Sequence, residues 1–353
     1  MKAVVYHGPH DMRVENVADP GLQEPTDALL RIERTAICGS DLHLWHSEAF
    51  AEAVEPGFVV GHEFLGTVLE VGSAVRRVRP GDRVLVACTT GCGECASCRA
   101  GLASGCPVTT AGFTRQNVFG FSHELWGGQA EVARVPFADA NCFAVPPDLD
   151  DEQVLFLTDI LPTGELGAEL ARVGVGETVV VFGCGPVGTF AQRCAAVRGA
   201  AQVIAVDLDR DRLARAERSG AVALHPGDGD LLERVLELTD GLGAHCAIEA
   251  VGSSELVHQA AAVVRPGGRI AAIGVILEPW QIEWPLFFAK NLTLASGLVS
   301  PQASIHRLLP LIRSGRLDPA EIVSHRFPLA GARDAYELFA ARRDGVLKVV
   351  LEP

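Results

Sequence analysis

The sequence predicts a two-domain α/β protein in which a β-rich domain is joined to a domain built on a parallel sheet. At 353 residues the chain is longer than a single hydrophobic core usually serves. Up to about residue 150, short runs rich in β-branched residues alternate with glycine and proline, which indicates strands and turns. From about Val154 onward, apolar β-branched runs alternate with stretches of helical period, as in the βαβ units of a parallel sheet.

Each predicted element rests on its own run of residues. In the first part, short apolar runs predict strands over residues 3–6, 28–34, 66–71 and 83–87. In the second part, apolar runs predict strands over residues 178–182, 203–206, 246–250, 269–275 and 292–298. Helical patterns follow over residues 304–314 and 329–341, and a final strand is expected over residues 347–351.

The composition excludes several classes of function. Lys plus Arg number 30 and Asp plus Glu number 44, so the formal net charge is -14. An acidic protein repels phosphate backbones and anionic lipid surfaces, and we therefore expect neither a nucleic-acid nor a membrane partner. The first residues lack a signal-peptide core and no apolar run reaches membrane-spanning length, which predicts a cytoplasmic protein.

Four of the ten cysteines form a tight cluster in the pattern C-x2-C-x2-C-x7-C. Four thiolates can close a tetrahedron around Zn²⁺, and glycines let a short loop direct its side chains to one centre. Such a set leaves no coordination position open, so we interpret the cluster as a structural zinc site formed by Cys92, Cys95, Cys98 and Cys106. Two disulfides or an iron–sulfur cluster are the alternatives, and disulfides fit a cytoplasmic chain badly.

A thiolate, imidazoles and carboxylates come together earlier in the chain. The segment Cys38-Gly-Ser-Asp-Leu-His43 is followed by Gly61-His62-Glu63. A catalytic zinc keeps three protein ligands and one open position, and a mixed set of sulfur, nitrogen and oxygen donors suits it. Spacing alone leaves two interpretations open, because single His and Cys residues also serve as ordinary core or surface residues.

A glycine motif follows a predicted strand and opens a predicted helix. Gly183 permits a tight turn, Gly185 lets a pyrophosphate approach the backbone, and Gly188 allows close packing of helix against strand. The amino terminus of the helix attracts phosphates. Asp207 ends the next strand, where its carboxylate can bind both ribose hydroxyls and repel a 2′-phosphate, which favours NAD(H) over NADP(H). The predicted cofactor-binding residues here are Gly183, Gly185, Pro186, Val187, Gly188 and Asp207.

Taken in order, these motifs resemble the zinc-containing medium-chain alcohol dehydrogenase family. The resemblance covers essentially the whole chain and rests on the Cys38 segment, Gly61-His62-Glu-Phe-Leu-Gly66, the four-cysteine cluster and the glycine motif. It implies a GroES-like catalytic domain over residues 1–155, to which residues 300–353 return, and a Rossmann domain with a doubly wound parallel sheet over residues 156–299. It also implies two zinc ions per subunit, one catalytic and one structural, together with NAD(H).

The resemblance assigns the ligands of the catalytic zinc. The first cysteine and the histidine of Gly-His-Glu bind this metal in the family, which implies Cys38 and His62 here. Many relatives have a third, cysteine ligand near the start of the second domain, where this chain has Asp159. In this it is similar to bacterial secondary-alcohol dehydrogenases and glutathione-independent formaldehyde dehydrogenases, so we assign Asp159 as third ligand and Glu63 as an alternate fourth. The alternative is a helix-terminal Asp159 favoured only by the helix dipole.

The resemblance also implies a route for the proton of an alcohol, whose hydroxyl pKa the zinc charge lowers. Ser40 matches the position that hydrogen-bonds the alcohol, and His43 the position that passes the proton to solvent through the cofactor ribose. Asp41 matches the carboxylate that orients the imidazole of His62. The alternative is a serine and an aspartate that cap a short helix, beside a surface histidine.

Other positions are assigned more loosely. By resemblance, Thr163 is expected near the nicotinamide and Lys348 near the pyrophosphate, although Lys348 could equally be a surface charge beside a strand. Arg210 and Arg212 follow Asp207 and keep NADP(H) open, with solvated charges at a helix start as the other interpretation. Cys88 falls where the family often has a pocket-lining side chain, and a buried small residue is the alternative.

We therefore expect an oxidoreductase that transfers hydride between NAD(H) and a small alcohol or carbonyl compound, with secondary alcohols favoured. A polyol or sugar-alcohol dehydrogenase is the alternative within the family, and a zinc-free quinone reductase is disfavoured by the ligand residues. A non-enzymatic protein that keeps the fold is the alternative from another class. The resemblance also implies a homo-oligomer, either a tetramer or a dimer.

Overall fold

The computed structural model describes residues 1–47, 54–110, 117–277 and 279–353. The strands are β1 (Lys2–Gly8), β2 (Asp11–Asn16), β3 (Ala28–Ile37), β4 (Glu63–Val71), β5 (Arg83–Val86), β6 (Val132–Val135), β7 (Cys142–Ala144), β8 (Thr178–Phe182), β9 (Gln202–Val206), β10 (Val222–Leu224), β11 (Ala244–Glu249), β12 (Val264–Ala272), β13 (Thr293–Ser296), β14 (Val323–Pro328) and β15 (Lys348–Glu352).

The α-helices are α1 (Asp41–His46), α2 (Ala96–Arg99), α3 (Ala138–Asn141), α4 (Asp151–Leu155), α5 (Ile160–Leu170), α6 (Pro186–Val197), α7 (Arg210–Arg218), α8 (Leu231–Glu237), α9 (Ser254–Val263), α10 (Trp284–Lys290), α11 (Pro301–Arg313) and α12 (Ala332–Ala340). Single 3₁₀ turns include Phe156–Thr158, directly before α5. The chain forms two compact units, one made of Met1–Pro162 and Val299–Pro353 and the other of Thr163–Leu298.

The first unit is built on a seven-stranded sheet. Its strand order is β14-β15-β3-β4-β5-β7, with β6 paired to β3, while β1 and β2 form a separate antiparallel pair. Val349 on β15 lies opposite Ile37 on β3, and Ala36 lies opposite Glu63 on β4. The chain segments just outside these pairs therefore meet at one end of the three neighbouring strands.

An apolar cluster in the first unit contains both tyrosines of the chain. Tyr6 on β1 and Tyr336 on α12 are fully buried, and the indole of Trp45 on α1 packs in the same cluster. The rings of Trp45 and Tyr336 are stacked, with centroids 5.6 Å apart and planes 16° apart. Burial of such large side chains stabilises this part of the sheet and fixes the position of α1.

The second unit contains a six-stranded sheet of order β10-β9-β8-β11-β12-β13. All its neighbouring strands pair in parallel. Numbered within the unit, the order is 3-2-1-4-5-6, that of the doubly wound dinucleotide-binding fold. The predicted α/β class is therefore confirmed. Within the residue ranges given above, no helix is long and apolar enough to cross a bilayer.

Candidate active site

Four metal-ligand side chains meet inside the first unit. Donor atoms of Cys38, His62, Glu63 and Asp159 all lie within 4.8 Å of one another, and all four residues are buried. Cys38 follows β3, and His62 and Glu63 stand at the start of β4, which pairs with β3. Asp159 lies in the one-residue gap between the turn Phe156–Thr158 and α5. The pairing of two strands thus brings together ligands that three separate segments supply.

The carboxylate of Asp159 lies between the other donors. Its Oδ2 is 3.5 Å from Cys38 Sγ and 3.3 Å from His62 Nε2. Its Oδ1 is 3.5 Å from the thiol of Cys88, which is itself buried. Ser40 Oγ lies 3.1 Å from the same Nε2 of His62. Sulfur, nitrogen and oxygen donors therefore converge at distances that one tetrahedral cation can span.

Glu63 is held by an ion pair that the sequence did not reveal. Lys348 Nζ donates a hydrogen bond to Glu63 Oε1 at 2.7 Å, and both residues are fully buried. In the described part of the chain, Glu63 Oε2 has no hydrogen-bond partner. The surface-charge alternative for Lys348 is wrong, because its ammonium is paired inside the protein. The contact of Lys348 with a pyrophosphate stays a prediction.

Asp41 lies behind the ligand imidazole, as the first residue of α1. Its Oδ1 is 3.3 Å from His62 Nδ1, and its Oδ2 accepts a hydrogen bond of 2.9 Å from the backbone N–H of Cys38. Because Nδ1 faces Asp41, the Nε2 edge of the ring faces Cys38 and Asp159. His43 lies two residues further along the same helix, where it is half-buried, and burial lowers the pKa of its imidazole.

The charges in this cluster fit a dication. Burial raises the pKa of the Cys38 thiol to about 11, and the Glu63 carboxylate adds to the rise. Burial also raises the pKa of Glu63, although Lys348 opposes that rise. Burial alone lowers the pKa of His62, but Asp41 and Cys38 lift it well above its ordinary value. A dication among these donors would stabilise the thiolate, the carboxylates and the neutral imidazole together.

The second metal-ligand cluster surrounds α2. Sγ atoms of the four predicted cysteines, Cys92, Cys95, Cys98 and Cys106, lie within 4.8 Å of one another. The backbone N–H groups of Cys95 and Cys98 donate to the sulfurs of Cys92 and Cys95, each at 3.4 Å. Burial raises the pKa of Cys106, but N–H donors from Cys92 and neighbouring groups lower it to about 6. All ten cysteines are unpaired thiols, so no disulfide competes with a metal here.

The glycine motif of the second unit joins β8 to α6. Gly183 has φ of +93°, and a Cβ at Gly188 would lie 1.9 Å from the carbonyl oxygen of Gly183. A Cβ at Gly185 would meet only a guanidinium nitrogen of Arg212, at 3.8 Å, so the backbone here is open to a ligand. Helix α6 begins at Pro186, which leaves the N–H groups of its first turn available for phosphate oxygens.

Asp207 follows β9 and is tied to the backbone on both sides. Its Oδ2 accepts a hydrogen bond of 2.6 Å from the N–H of Cys184, inside the glycine motif. Its Oδ1 accepts one of 2.8 Å from the N–H of Asp209. A carboxylate has about four acceptor positions, so two remain for ribose hydroxyls. Thr163, the other predicted cofactor residue in this unit, lies on α5 and is partly buried.

Sequence reasoning missed two of the contacts with the catalytic cluster. The pairing of Lys348 with Glu63 had one local signal, a single lysine inside the apolar run Leu347–Leu351. The contact of Cys88 with Asp159 had only the resemblance, which gives Cys88 as a pocket-lining position, because a thiol two residues after β5 otherwise looks like any small core residue.

Comparisons with known proteins agree with this architecture. Residues 24–147 match the family described as "Alcohol dehydrogenase GroES-like domain", and residues 186–314 match "Zinc-binding dehydrogenase". An uncharacterized zinc-type alcohol dehydrogenase-like protein of Bacillus subtilis (strain 168) is 36% identical, and the match covers 100% of both chains. The chain belongs to the zinc-containing medium-chain alcohol dehydrogenase family. The predicted resemblance and its GroES-like and Rossmann folds are thereby confirmed.

Solved structures extend the comparison. This family member superposes on an alcohol dehydrogenase from Thermus sp. ATN1 with a TM-score of 0.91 at 38% identity, covering 100% of this chain and 99% of the other. A putative zinc-binding dehydrogenase from Sinorhizobium meliloti 1021, bound to NADP, gives a TM-score of 0.85 at 29% identity, covering 100% and 99%. The chain is therefore a zinc-dependent oxidoreductase of alcohols that uses a nicotinamide cofactor.

Proposed function

We propose that this dehydrogenase oxidises small alcohols, with secondary alcohols favoured, and reduces the corresponding carbonyl compounds with a catalytic zinc held by Cys38, His62 and Asp159. The observation that carries the proposal is the Asp159 carboxylate, which lies 3.5 Å from Cys38 Sγ and 3.3 Å from His62 Nε2. Zinc bound there supplies a Lewis acid that lowers the pKa of an alcohol hydroxyl. Glu63, one of whose oxygens has no hydrogen-bond partner among the described residues, is an alternate fourth ligand.

The aspartate ligand distinguishes this site from relatives with a cysteine there. A carboxylate is a harder donor than a thiolate, so a zinc ion held with Asp159 would keep more positive charge, as polarisation of an alcohol hydroxyl requires. The contacts of Asp159 with Cys38 and His62 support a ligand role beyond that of a helix-terminal residue. They also support a place in the aspartate-ligand subgroup, which includes bacterial secondary-alcohol and glutathione-independent formaldehyde dehydrogenases.

Three side chains prepare the proton step. Asp41 holds His62 through the Nδ1 contact of 3.3 Å, which keeps Nε2 directed to the metal position. Ser40 Oγ, 3.1 Å from that Nε2, is placed to accept the hydroxyl proton of an alcohol at this position. We assign His43 as the group that receives the proton from Ser40 through the cofactor ribose, which completes a proton relay to solvent. Its lowered pKa keeps the imidazole neutral at neutral pH, so that it can accept this proton.

A second zinc ion is assigned to Cys92, Cys95, Cys98 and Cys106. Four sulfurs within 4.8 Å of one another complete a tetrahedron and leave no position for a substrate. The N–H groups that donate to the sulfurs, each at 3.4 Å, favour thiolates over thiols, as a metal requires. This ion therefore stabilises the loop around α2 and takes no part in the reaction.

We assign NAD(H) as the preferred cofactor because Asp207 is the acidic residue at the end of the second strand of the dinucleotide fold. Its carboxylate is fixed beside the glycine motif, where it would repel a 2′-phosphate. Arg210 is engaged by Asp228, with the closest atoms 2.6 Å apart, which reduces its availability to such a phosphate. Arg212 has a guanidinium nitrogen 3.8 Å from the position of a Cβ at Gly185, and it is paired with Asp209 at 3.7 Å, so it too already has an acidic partner.

A homo-oligomer is supported by the surface of the second unit. The segment leading to β13 exposes large apolar side chains, which include Leu277, Ile282, Trp284 and Phe288. Strand β13 stands at one end of the sheet, so its outer backbone groups face no strand among the described residues. Apolar side chains beside an open sheet edge are typical of a subunit interface. Light scattering of the purified protein would separate dimer from tetramer.

One experiment tests the proposed function as a whole. The wild-type protein should contain two zinc ions per chain and reduce NAD with small alcohols, and Asp159→Ala should lose one zinc and nearly all activity. Asp148→Ala is the matched control, because Asp148 is exposed and pairs only with Arg313 among the described residues. A full zinc complement with normal turnover in Asp159→Ala would refute the ligand assignment.

The same sample distinguishes the alternatives. A panel of secondary alcohols, aldehydes and polyols is compared by kcat/KM, and a clear preference for polyols would move the assignment to a sugar-alcohol dehydrogenase. Two bound zinc ions without NAD-linked turnover on any member of the panel would instead favour a non-enzymatic role.

A further inference from the structure

A row of buried polar side chains continues behind the catalytic cluster. The hydroxyl of Tyr336 donates to Gln129 Oε1 at 2.9 Å, and Gln129 Nε2 donates to Asp41 Oδ2 at 3.4 Å. Asp41 Oδ1 in turn lies 3.3 Å from His62 Nδ1. The first three residues are 0% exposed and His62 is 2% exposed, so bulk solvent does not reach these contacts. The row therefore links an α12 side chain to a proposed zinc ligand.

The orientation of the Gln129 amide follows from its neighbours. Its NH₂ group lies near two acceptors, the backbone oxygen of Ala36 at 3.3 Å and the carboxylate of Asp41. A flipped amide would place its oxygen against both acceptors, which is unfavourable without water. In the observed orientation the amide oxygen needs a donor, and the hydroxyl of Tyr336 supplies it. Tyr336 thus fixes which end of the amide meets Asp41.

The amide orientation in turn controls the imidazole. Asp41 Oδ2 accepts N–H groups from Gln129 and from the backbone of Cys38, so the carboxylate stays an acceptor. Its other oxygen lies 3.3 Å from His62 Nδ1 as a charge contact without hydrogen-bond alignment, and this negative charge favours the tautomer with the ring proton on Nδ1. Nε2 is left with its lone pair, the form in which an imidazole binds a metal.

The surrounding residues hold this row in place. The Tyr336 ring is stacked on Trp45, which belongs to the same helix as Asp41. Gly61 directly precedes His62, and a Cβ there would lie 2.4 Å from Cγ of Gln129. A larger residue at Gly61 would push the amide away from Asp41. The glycine of Gly-His-Glu is therefore needed for close approach of Gln129.

From this geometry we infer that Gln129 and Tyr336 are positioning residues of the catalytic zinc site. They act through Asp41 on His62 and do not touch the metal position themselves. The inference rests on the proposed function, because it requires zinc at Cys38 and His62. Loss of an outer hydrogen-bond partner of a metal ligand typically weakens metal binding about 10- to 100-fold.

The chain provides a closely matched control. Tyr6 is also fully buried in the apolar cluster that contains Tyr336, but within the described residues its hydroxyl has no hydrogen-bond partner. Tyr336→Phe and Tyr6→Phe therefore remove the same atom from the same core, and only the first interrupts the row. Any difference between the two variants reports the row itself rather than the loss of a buried hydroxyl.

The test measures release of catalytic zinc from the holoenzyme to a chelator, with thermal unfolding recorded on the same samples. Tyr336→Phe should release this zinc about 10-fold faster than wild type, and Tyr6→Phe at the wild-type rate. Gln129→Met should accelerate release as well. Tyr336→Phe should accelerate release less in the Gln129→Met background than in the wild type, because part of the effect of the hydroxyl passes through the amide and part through its own interaction with Asp41.

Two results would overturn the inference. One is equal zinc release from Tyr336→Phe and Tyr6→Phe, and the other is full additivity of Tyr336→Phe with Gln129→Met. The absence of zinc at Cys38 and His62 in the wild-type protein would instead refute the proposed function. Failure of the inference and failure of the proposed function are therefore distinguishable. A Tyr336→Phe variant that fails to fold leaves Gln129→Met to decide, since that variant should release zinc faster while Tyr6→Phe does not.

Discussion

Lys348 Nζ lies 2.7 Å from Glu63 Oε1, and neither residue is exposed to solvent. The ammonium offsets the negative charge that Cys38, Glu63 and Asp159 concentrate in one buried site. Burial lowers the pKa of Lys348, but Glu63 and Cys38 raise it above its ordinary value, so the lysine stays charged. The pair therefore allows Glu63 to lie beside the metal position as a carboxylate.

The first prediction concerns this pair. Lys348→Met should reduce the free energy of unfolding by about 3–5 kcal/mol, because it leaves a carboxylate buried without its partner. Adding Glu63→Gln should recover most of that loss, which chemical denaturation of the zinc-loaded proteins can measure. Arg313→Met is the control, since it breaks an exposed pair with Asp148 and should change stability far less. An equal loss of unfolding free energy in Lys348→Met and Arg313→Met would contradict a buried ion pair between Lys348 and Glu63.

The second prediction concerns the four-cysteine cluster. Cys95→Ser should lower the zinc content from two ions per chain to one, while Cys194→Ala, which removes a buried thiol outside both clusters, should retain two. The variant should keep NAD-linked activity at low temperature and lose it earlier on heating, because the loop around α2 is less stable. Visible absorption typical of an iron–sulfur centre in the wild type would show that the assigned metal is wrong.

The third prediction concerns cofactor choice. Asp207→Asn should raise kcat/KM with NADP relative to NAD by about 10- to 100-fold, because a unit-charge repulsion of a few kcal/mol is removed. An asparagine still has one oxygen for the N–H of Cys184, so the glycine motif should keep its shape. Asp211→Asn removes an exposed charge four residues away, in the first turn of α7, and should leave the ratio unchanged. The same ratio in both variants would mean that Asp207 does not select the cofactor.

The fourth prediction concerns pH. Burial lowers the pKa of His43 below its ordinary value of 6.5, so the imidazole is neutral at neutral pH and can accept a proton. Alcohol oxidation should therefore fall on acidification only below pH 6.5, where His43 becomes protonated. His43→Ala should slow oxidation and remove this inflection, and His46→Ala, which changes an exposed residue of the same helix, should preserve both. An unchanged pH–rate profile in His43→Ala would exclude the relay.

Much of the fold could be predicted because its elements carry local signals. The strand predicted over residues 178–182 coincides with β8, since a continuous β-branched run bounded by turns is unambiguous. Strand β2 was not predicted, because Asp11–Asn16 is mostly polar, with only Met12 buried, and among the described residues it pairs with β1 alone. The strand predicted over residues 269–275 ends at Ala272, where its pairing with β13 also ends. Local patterns thus identify buried strands better than they identify polar strands or the residues at which a strand ends.

The candidate site could also be predicted only in part. Cys38 and His62 belong to short motifs, so spacing and resemblance identify them together, and the structure places them beside Asp159. The residues that support them, Lys348 and Gln129, come from distant segments and carry no motif of their own. Their roles depend on strand register and on burial, which single-sequence patterns do not encode.

The distance along the chain between Glu63 and Lys348 has a consequence for biosynthesis. The two residues are 285 positions apart, although β15 lies next to β3 in the finished sheet. While the ribosome is still translating the dinucleotide-binding unit, the nascent chain already exposes Cys38, His62 and Glu63 without their counter-ion. A sheet formed at that stage would lack β14 and β15, so the buried ion pair of Glu63 with Lys348 forms only when the last strands of the chain are added.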